Sequence, residues 1–148
     1  MNEIILLDSG PLGILCNPNS SLQPTAIRTW VADLLVAGRR IVLPEIADYE
    51  IRRELNRIQS YRGLAILNSF GARLEYLPLT TTSIRLAADL WAQARNTGHQ
   101  TAANSALDAD VILTAQALTL AVPVIIATTN VKHLTRFTTA ELWQNIVP

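Results

Sequence analysis

Acids and hydroxyls stand directly behind the aliphatic runs of this sequence, where catalysis is easiest to build. Asp8, Ser9 and Gly10 follow residues 4–7, and Thr128, Thr129 and Asn130 follow residues 124–127. An ionised carboxylate at the edge of an apolar core needs hydrogen bonds, a cation or a metal. The plainer reading of Asp8 is an Asx turn opening Asp-Ser-Gly-Pro. A second supply of acids, Glu45, Asp48, Glu50 and Glu54, shares one helical stretch. At about 100° per residue, with an apolar stripe centred between Ile51 and Leu55, Glu50 falls at the edge of the stripe and Glu54 almost within it, while Glu45 and Arg52 face water. The plain alternative is solvated helix charge, with Arg53 and Arg57 as partners of Glu54 or Glu50. Asp108 and Asp110 open an otherwise uncharged helix, and Ser105 with Asp108 has capping-box spacing, which gives Asp108 to structure and leaves Asp110 as the functional acid. Asp8, Glu50 and Asp110 are then three carboxylates, far apart in sequence, that one fold can gather. With a single cysteine and no Cys/His spacing for zinc, such a site suits Mg²⁺ or Mn²⁺. The matching chemistry is phosphoryl hydrolysis, with the metal polarising a phosphoryl oxygen and activating water.

The elements that must position these acids are legible from periodicity. Residues 4–7, 41–43 and 124–127 are apolar without alternation, as in strands covered on both faces of a parallel sheet, and 74–77 is a weaker fourth run. Ile27, Trp30, Val31, Leu34 and Leu35 repeat at helical spacing up to Gly38. A second helix begins near Pro44 with the stripe Ala47, Ile51, Leu55 and Ile58. Further helices are expected over about 61–70, from the end of Thr80–Ser83 to about Asn96, and from about Leu107 to Leu120. Segments 17–24 and 97–105 read as surface loops. Strand alternates with helix, which predicts an α/β fold: three layers, α/β/α, around a mainly parallel sheet. In such sheets ligands gather at the carboxyl ends of the strands, where Asp8, Ser9, Thr128 and Asn130 fall.

The 148 residues make one domain, 1–148. Twelve Lys and Arg balance twelve Asp and Glu, which excludes a general nucleic-acid coat, so any nucleic-acid contact is local. Lys132 is the one lysine; arginine, the better fork for phosphate, supplies the rest. Hydrophobic residues reach 49% and charged ones 16%, leaving apolar surface for an oligomer. Cysteine usage, and a start too short and too acidic for a signal peptide, point to the cytoplasm. The uncharged stretch 111–131 is broken by Thr114, Gln116, Thr119 and Pro123 into a buried helix and a buried strand, not a membrane span.

Four segments together resemble the PIN domain family, and within it the VapC-like toxins of type II toxin-antitoxin modules: Leu-Leu-Asp8-Ser-Gly-Pro-Leu; Val-Leu-Pro-Glu-Ile-Ala-Asp-Tyr-Glu50-Ile-Arg-Arg-Glu-Leu; Asp110-Val-Ile-Leu-Thr-Ala-Gln-Ala-Leu; and Ile-Ala-Thr128-Thr-Asn130-Val-Lys-His133-Leu. The resemblance covers nearly the whole chain. It implies a metal-dependent endoribonuclease with Asp8, Glu50 and Asp110 around Mg²⁺ or Mn²⁺, and Ser9, Thr128 and Asn130 positioning water or the scissile phosphate. It also implies a cognate antitoxin and a homodimer.

This sequence departs from the family where many relatives carry a fourth acid after the last strand; here that place holds Asn130, which adds no charge. Asp108 supplies the missing carboxylate or is only a cap. Leu134 replaces an aromatic after His133, and His133 reads as a surface or structural residue. Trp30, Trp91 and Trp143 read as core or dimer contacts, and the pairs Arg39–Arg40 and Arg52–Arg53 as solvated faces, an RNA groove, or partners for an acidic antitoxin tail. A receiver domain would need adjacent acids near the first strand, and a haloacid-type phosphatase an Asp where Gly10 stands. The remaining rival is a PIN-like module that binds RNA or protein without cleaving.

Overall fold

A computed structural model describes residues 3–97, 104–132, 134 and 138–148, with the side chains of 104–106 excluded. Among them, β1 (Ile4–Leu7), β2 (Arg40–Pro44), β3 (Glu75–Leu77), β4 (Val124–Thr128) and β5 (Ala140–Leu142) form one sheet in the order β3-β2-β1-β4-β5. Every pairing is parallel.

The strands alternate as a sheet buried on both faces requires. Ile5 and Leu7 of β1, with Ile41 and Leu43 of β2, join the core beneath α1 (Ser9–Leu15), α2 (Leu22–Val36), α3 (Glu45–Arg57) and α4 (Tyr61–Arg73). Ile4, Leu6, Val42 and Ile126 face the other way, onto Leu113 and Ala117 of α6 (Asn104–Leu118). The outer helix α5 (Thr81–Asn96) packs on α6 through Ala87, Leu90 and Ala94. This is the three-layer α/β/α architecture. The carboxyl-terminal segment is pinned by Trp30, whose indole N–H donates to the Ile146 carbonyl (2.8 Å) and whose ring meets Trp143 edge-on at 5.5 Å. No helix among the described residues is long and apolar enough to cross a membrane.

Several expected boundaries shift. Helix α1 was hidden by Gly10, Pro11 and Gly13, but Asp8 caps it and a proline in the first turn costs no hydrogen bond. Helix α2 starts at Leu22, so Pro24 is buried in its first turn and not in a loop; Leu35 and Ile58 lie exposed, off their stripes. Helix α6 already includes Asn104 and ends at Leu118, while 98–103 lie outside the described residues. Three-residue β5 was too short to show as a periodic run.

Candidate active site

Strand β1 leads toward β2 and strand β4 toward β5, on opposite sides, so the sheet order reverses between two neighbours. The crevice at their carboxyl ends is the natural ligand site of such a sheet, and Asp8 and Thr128 sit on its two walls. The Asp8 backbone N–H continues the ladder to the Ala127 carbonyl (3.0 Å). One Asp8 carboxylate oxygen accepts from the Ser9 backbone N–H (2.7 Å), the other from the Thr128 hydroxyl (2.7 Å). Thr128 is 1% exposed, and its oxygen in turn accepts from the Asn130 N–H (3.1 Å).

Helix α1 can approach this closely only because residue 10 is glycine: a Cβ there would stand 2.3 Å from the Thr129 hydroxyl oxygen. Burial holds the Asp8 carboxyl above its usual range, against the opposing effect of the Thr128 and Ser9 hydrogen bonds. Glu50, half-buried on α3, is likewise held up, chiefly by burial, then by the charge of Asp8 and less by that of Asp110; Arg53 and the Ser9 hydroxyl pull the other way. The Ser9 hydroxyl acts on both the Asp8 and the Glu50 carboxyl, pulling each down.

The charges of Asp8 and Asp110 thus both reach Glu50, with Ser9 and Thr128 beside Asp8. Asp110 is half-buried, well inside α6 and not at its opening. Among the described residues no three acid, histidine or cysteine side chains are packed tightly enough, as they stand, to enclose an ion. Asn130 lies at the edge, but its carboxamide oxygen accepts from the Lys132 N–H (3.1 Å) and so caps its own turn. Asp108 is exposed and lines a groove with Ile84 and Trp91, away from this cluster. His133 and the Ser105 side chain lie outside the described residues.

Three expectations for α3 are corrected. Glu45 does not face water alone: it accepts from the Leu79 N–H (2.7 Å), because the chain after β3 folds back over the start of α3. Glu54 stays off the core and pairs with Arg57 at the surface. Arg52 turns to Asp48 (2.8 Å), which also accepts from the Tyr76 hydroxyl (2.8 Å). The Asp48–Arg52 spacing was legible, while Tyr76 could be found only from the β2–β3 pairing. Gln116, also missed, donates to the Leu77 carbonyl (2.9 Å) across the buried join of α6 and β3. Arg39 pairs with Glu3 and Arg40 with Glu75. Trp30 and Trp143 are core, whereas Trp91 is 36% exposed under the Arg95 guanidinium.

No family model matches the chain, and no curated protein is similar to it in sequence. Solved structures are similar in fold. VapBC2 from Rickettsia felis, bound to a DNA fragment from their promoter, matches with a TM-score of 0.71 at 17% identity, covering 95% of this chain and 98% of that one. DNA-bound VapBC from Salmonella typhimurium gives 0.72 at 19% identity, over 97% and 99%. VapBC-1 from nontypeable Haemophilus influenzae gives 0.70 at 20% identity, over 96% and 99%. The chain has the PIN-like three-layer fold over nearly its whole length.

Proposed function

We propose that the protein is a Mg²⁺- or Mn²⁺-dependent endoribonuclease, the toxin of a toxin-antitoxin pair. The observation that supports this reading is that the charges of Asp8, at the β1/β4 crevice, and of Asp110 both act on Glu50. Partly desolvated carboxylates, with the charges of Asp8 and Asp110 both acting on Glu50, are the donor set a hard divalent cation fits. Asp8, Glu50 and Asp110 would hold that ion. When bound, it supplies Lewis-acid polarisation of a phosphoryl oxygen and lowers the pKa of water. Thr128 and Ser9 fix the Asp8 carboxylate, and Asn130 is left with its amide N–H₂ to offer a phosphate oxygen at the rim. A partner protein is supported by the fold's likeness to chains solved as VapBC complexes.

The second reading, a PIN-like module that binds without cutting, is favoured by Asn130, whose carboxamide oxygen is spent on its own turn and brings no charge. Cleavage of a mixed structured RNA pool by the purified chain, with Mg²⁺, Mn²⁺ or EDTA, separates the two. Cleavage that needs the metal and is lost in Asp8→Asn, Glu50→Gln and Asp110→Asn is expected. A folded protein that cuts no RNA in either metal would leave the binding module, and wild-type rates in all three variants would remove the site assignment.

A further inference from the structure

Asp110 acts on Glu50 although the two acids come from opposite faces of the sheet, Glu50 on α3 and Asp110 on α6. Ala47 and Leu55 of α3 pack into the core beneath α1 and α2, whereas Leu113 and Ala117 of α6 pack on the other face, where Ile46 at the start of α3 joins them. Apolar contact has no direction and does not by itself fix how far one helix sits along another. Gln116, 1% exposed and six residues on from Asp110, supplies the direction. Its amide N–H₂ donates to the Leu77 carbonyl at the end of β3 (2.9 Å), and its oxygen accepts from the Ile46 backbone N–H (3.4 Å). That N–H is one of the donors at a helix start that lack a partner within the helix, and Pro44, at the cap position, has no side-chain oxygen to meet it. The cap of α3 thus comes from α6, one turn before Glu50. Glu45 and Asp48 fasten the same half of α3 to β3 and the chain just after it, and Gln116 ties in the helix that bears Asp110. A buried amide is costly unless both its ends are paired, so Gln116 fits one setting of α3 against α6.

We infer that Gln116 is a positioning residue of the acid cluster: by bonding α3 and β3 from α6 it fixes the separation of Glu50 and Asp110, and so sets which divalent cation the pair accepts. This rests on the proposed metal-dependent reading and goes beyond it to the selectivity of the site. Mg²⁺ demands near-octahedral oxygen ligands at about 2.0 to 2.1 Å, whereas Ca²⁺ tolerates longer and less regular coordination. A loosened join between α3 and α6 therefore costs Mg²⁺ and spares Ca²⁺.

The test uses the full chain without RNA. Gln116→Met keeps the volume and removes both hydrogen bonds; adding Pro44→Ser returns a cap to the start of α3 without the tie to α6. By isothermal titration calorimetry, Gln116→Met is expected to weaken Mg²⁺ binding at least about tenfold and Ca²⁺ binding no more than about twofold. In EDTA, amide hydrogen exchange should quicken in the first turn of α3 and not in α2. The double variant should recover the slow exchange but not the Mg²⁺ affinity, and it carries the same test if the single variant does not fold. Unchanged Mg²⁺ affinity in Gln116→Met, equal losses for both ions, exchange quickening alike in α2, or Mg²⁺ affinity restored by the cap alone would each overturn the assignment and leave the metal-dependent reading intact. Failure of both variants to fold would likewise overturn it, by making Gln116 a residue of stability alone. A wild-type chain that binds neither ion would remove the metal-dependent reading and this inference with it.

Discussion

Asp8 serves folding and chemistry at cross purposes. As the residue that caps α1 and closes the β1/β4 crevice it is well hydrogen-bonded, yet burial still disfavours its charge and holds its carboxyl above the ordinary value of 3.8. The sign follows. With a raised folded-state pKa, the native protein binds the proton more tightly than the unfolded chain, so stability falls as pH rises from the usual carboxylate range through the raised value, and the cost is fully present at neutral pH. Asparagine is an equally good cap and keeps the oxygen that accepts from Ser9. Asp8→Asn should therefore stabilise the metal-free protein at pH 7 by about 1 kcal/mol, raising Tm by roughly 2 to 4 °C, while abolishing cleavage. The gain should vanish below about pH 4. Thermal melts of both proteins in EDTA across that range check it, and an Asp8→Asn protein less stable than wild type at neutral pH would show that the carboxylate is structural. Asp8 and Glu50 were singled out because one ends an aliphatic run and the other borders a helical stripe, whereas Asp110 was singled out as an uncapped acid at a helix opening and lies well inside α6. The failures, Glu45 and Glu54, had partners set by a returning loop and by a neighbouring arginine, which periodicity does not encode.

At the scale of elements, the site exists because helix α1 and the end of β4 approach without a side chain between them. An alanine at residue 10 would place its Cβ 2.3 Å from the Thr129 hydroxyl oxygen, 2.9 Å from its methyl and 3.1 Å from its Cβ. The first two conflicts are relieved by rotating Thr129, but the third moves backbone, and what moves is the wall carrying Thr128. Gly10→Ala gains helix propensity of about 0.5 to 1 kcal/mol and should nevertheless destabilise by about 1 to 3 kcal/mol net, with cleavage falling further than stability. Adding Thr129→Ala should restore most of both, since it removes two of the three contacts; urea melts of the single and double variants measure the coupling. A double variant as impaired as the single would place the cost in α1 itself. Elements with sustained periodicity, β1, α2 and α3, were readable in the sequence to within a few residues. Helix α1 was not, because its Gly-Pro-x-Gly composition is selected by close approach to β4 and α3, a tertiary demand that overrides propensity.

Across the whole molecule, the layers can be tested through a single atom. Cys16 ends α1, has no solvent exposure, and borders α4 closely enough that a Cβ on Gly63 would meet its carbonyl oxygen at 3.3 Å. Burial, and secondarily the charge of Asp48, pushes its thiol up to about 12. The thiolate, the reactive form, is thus scarce at pH 8 in the native state and abundant once the chain opens and the value returns near 8.5. Because the same core cluster contains β1, α2 and the terminal Trp143 and Ile146, exposing Cys16 requires parting helices that share one hydrophobic core with the sheet. Labelling of Cys16 by an aromatic disulfide reagent at pH 8 should therefore be slow in buffer and rise along urea with the same midpoint as loss of helical circular dichroism. In Asp8→Asn that midpoint should move to higher urea by the stability gained at residue 8, which ties the cost of the acid site to the global equilibrium. Labelling well before the helical signal is lost would instead show that α1 and α4 separate as a local unit, and that the crevice built on α1 opens without unfolding the sheet.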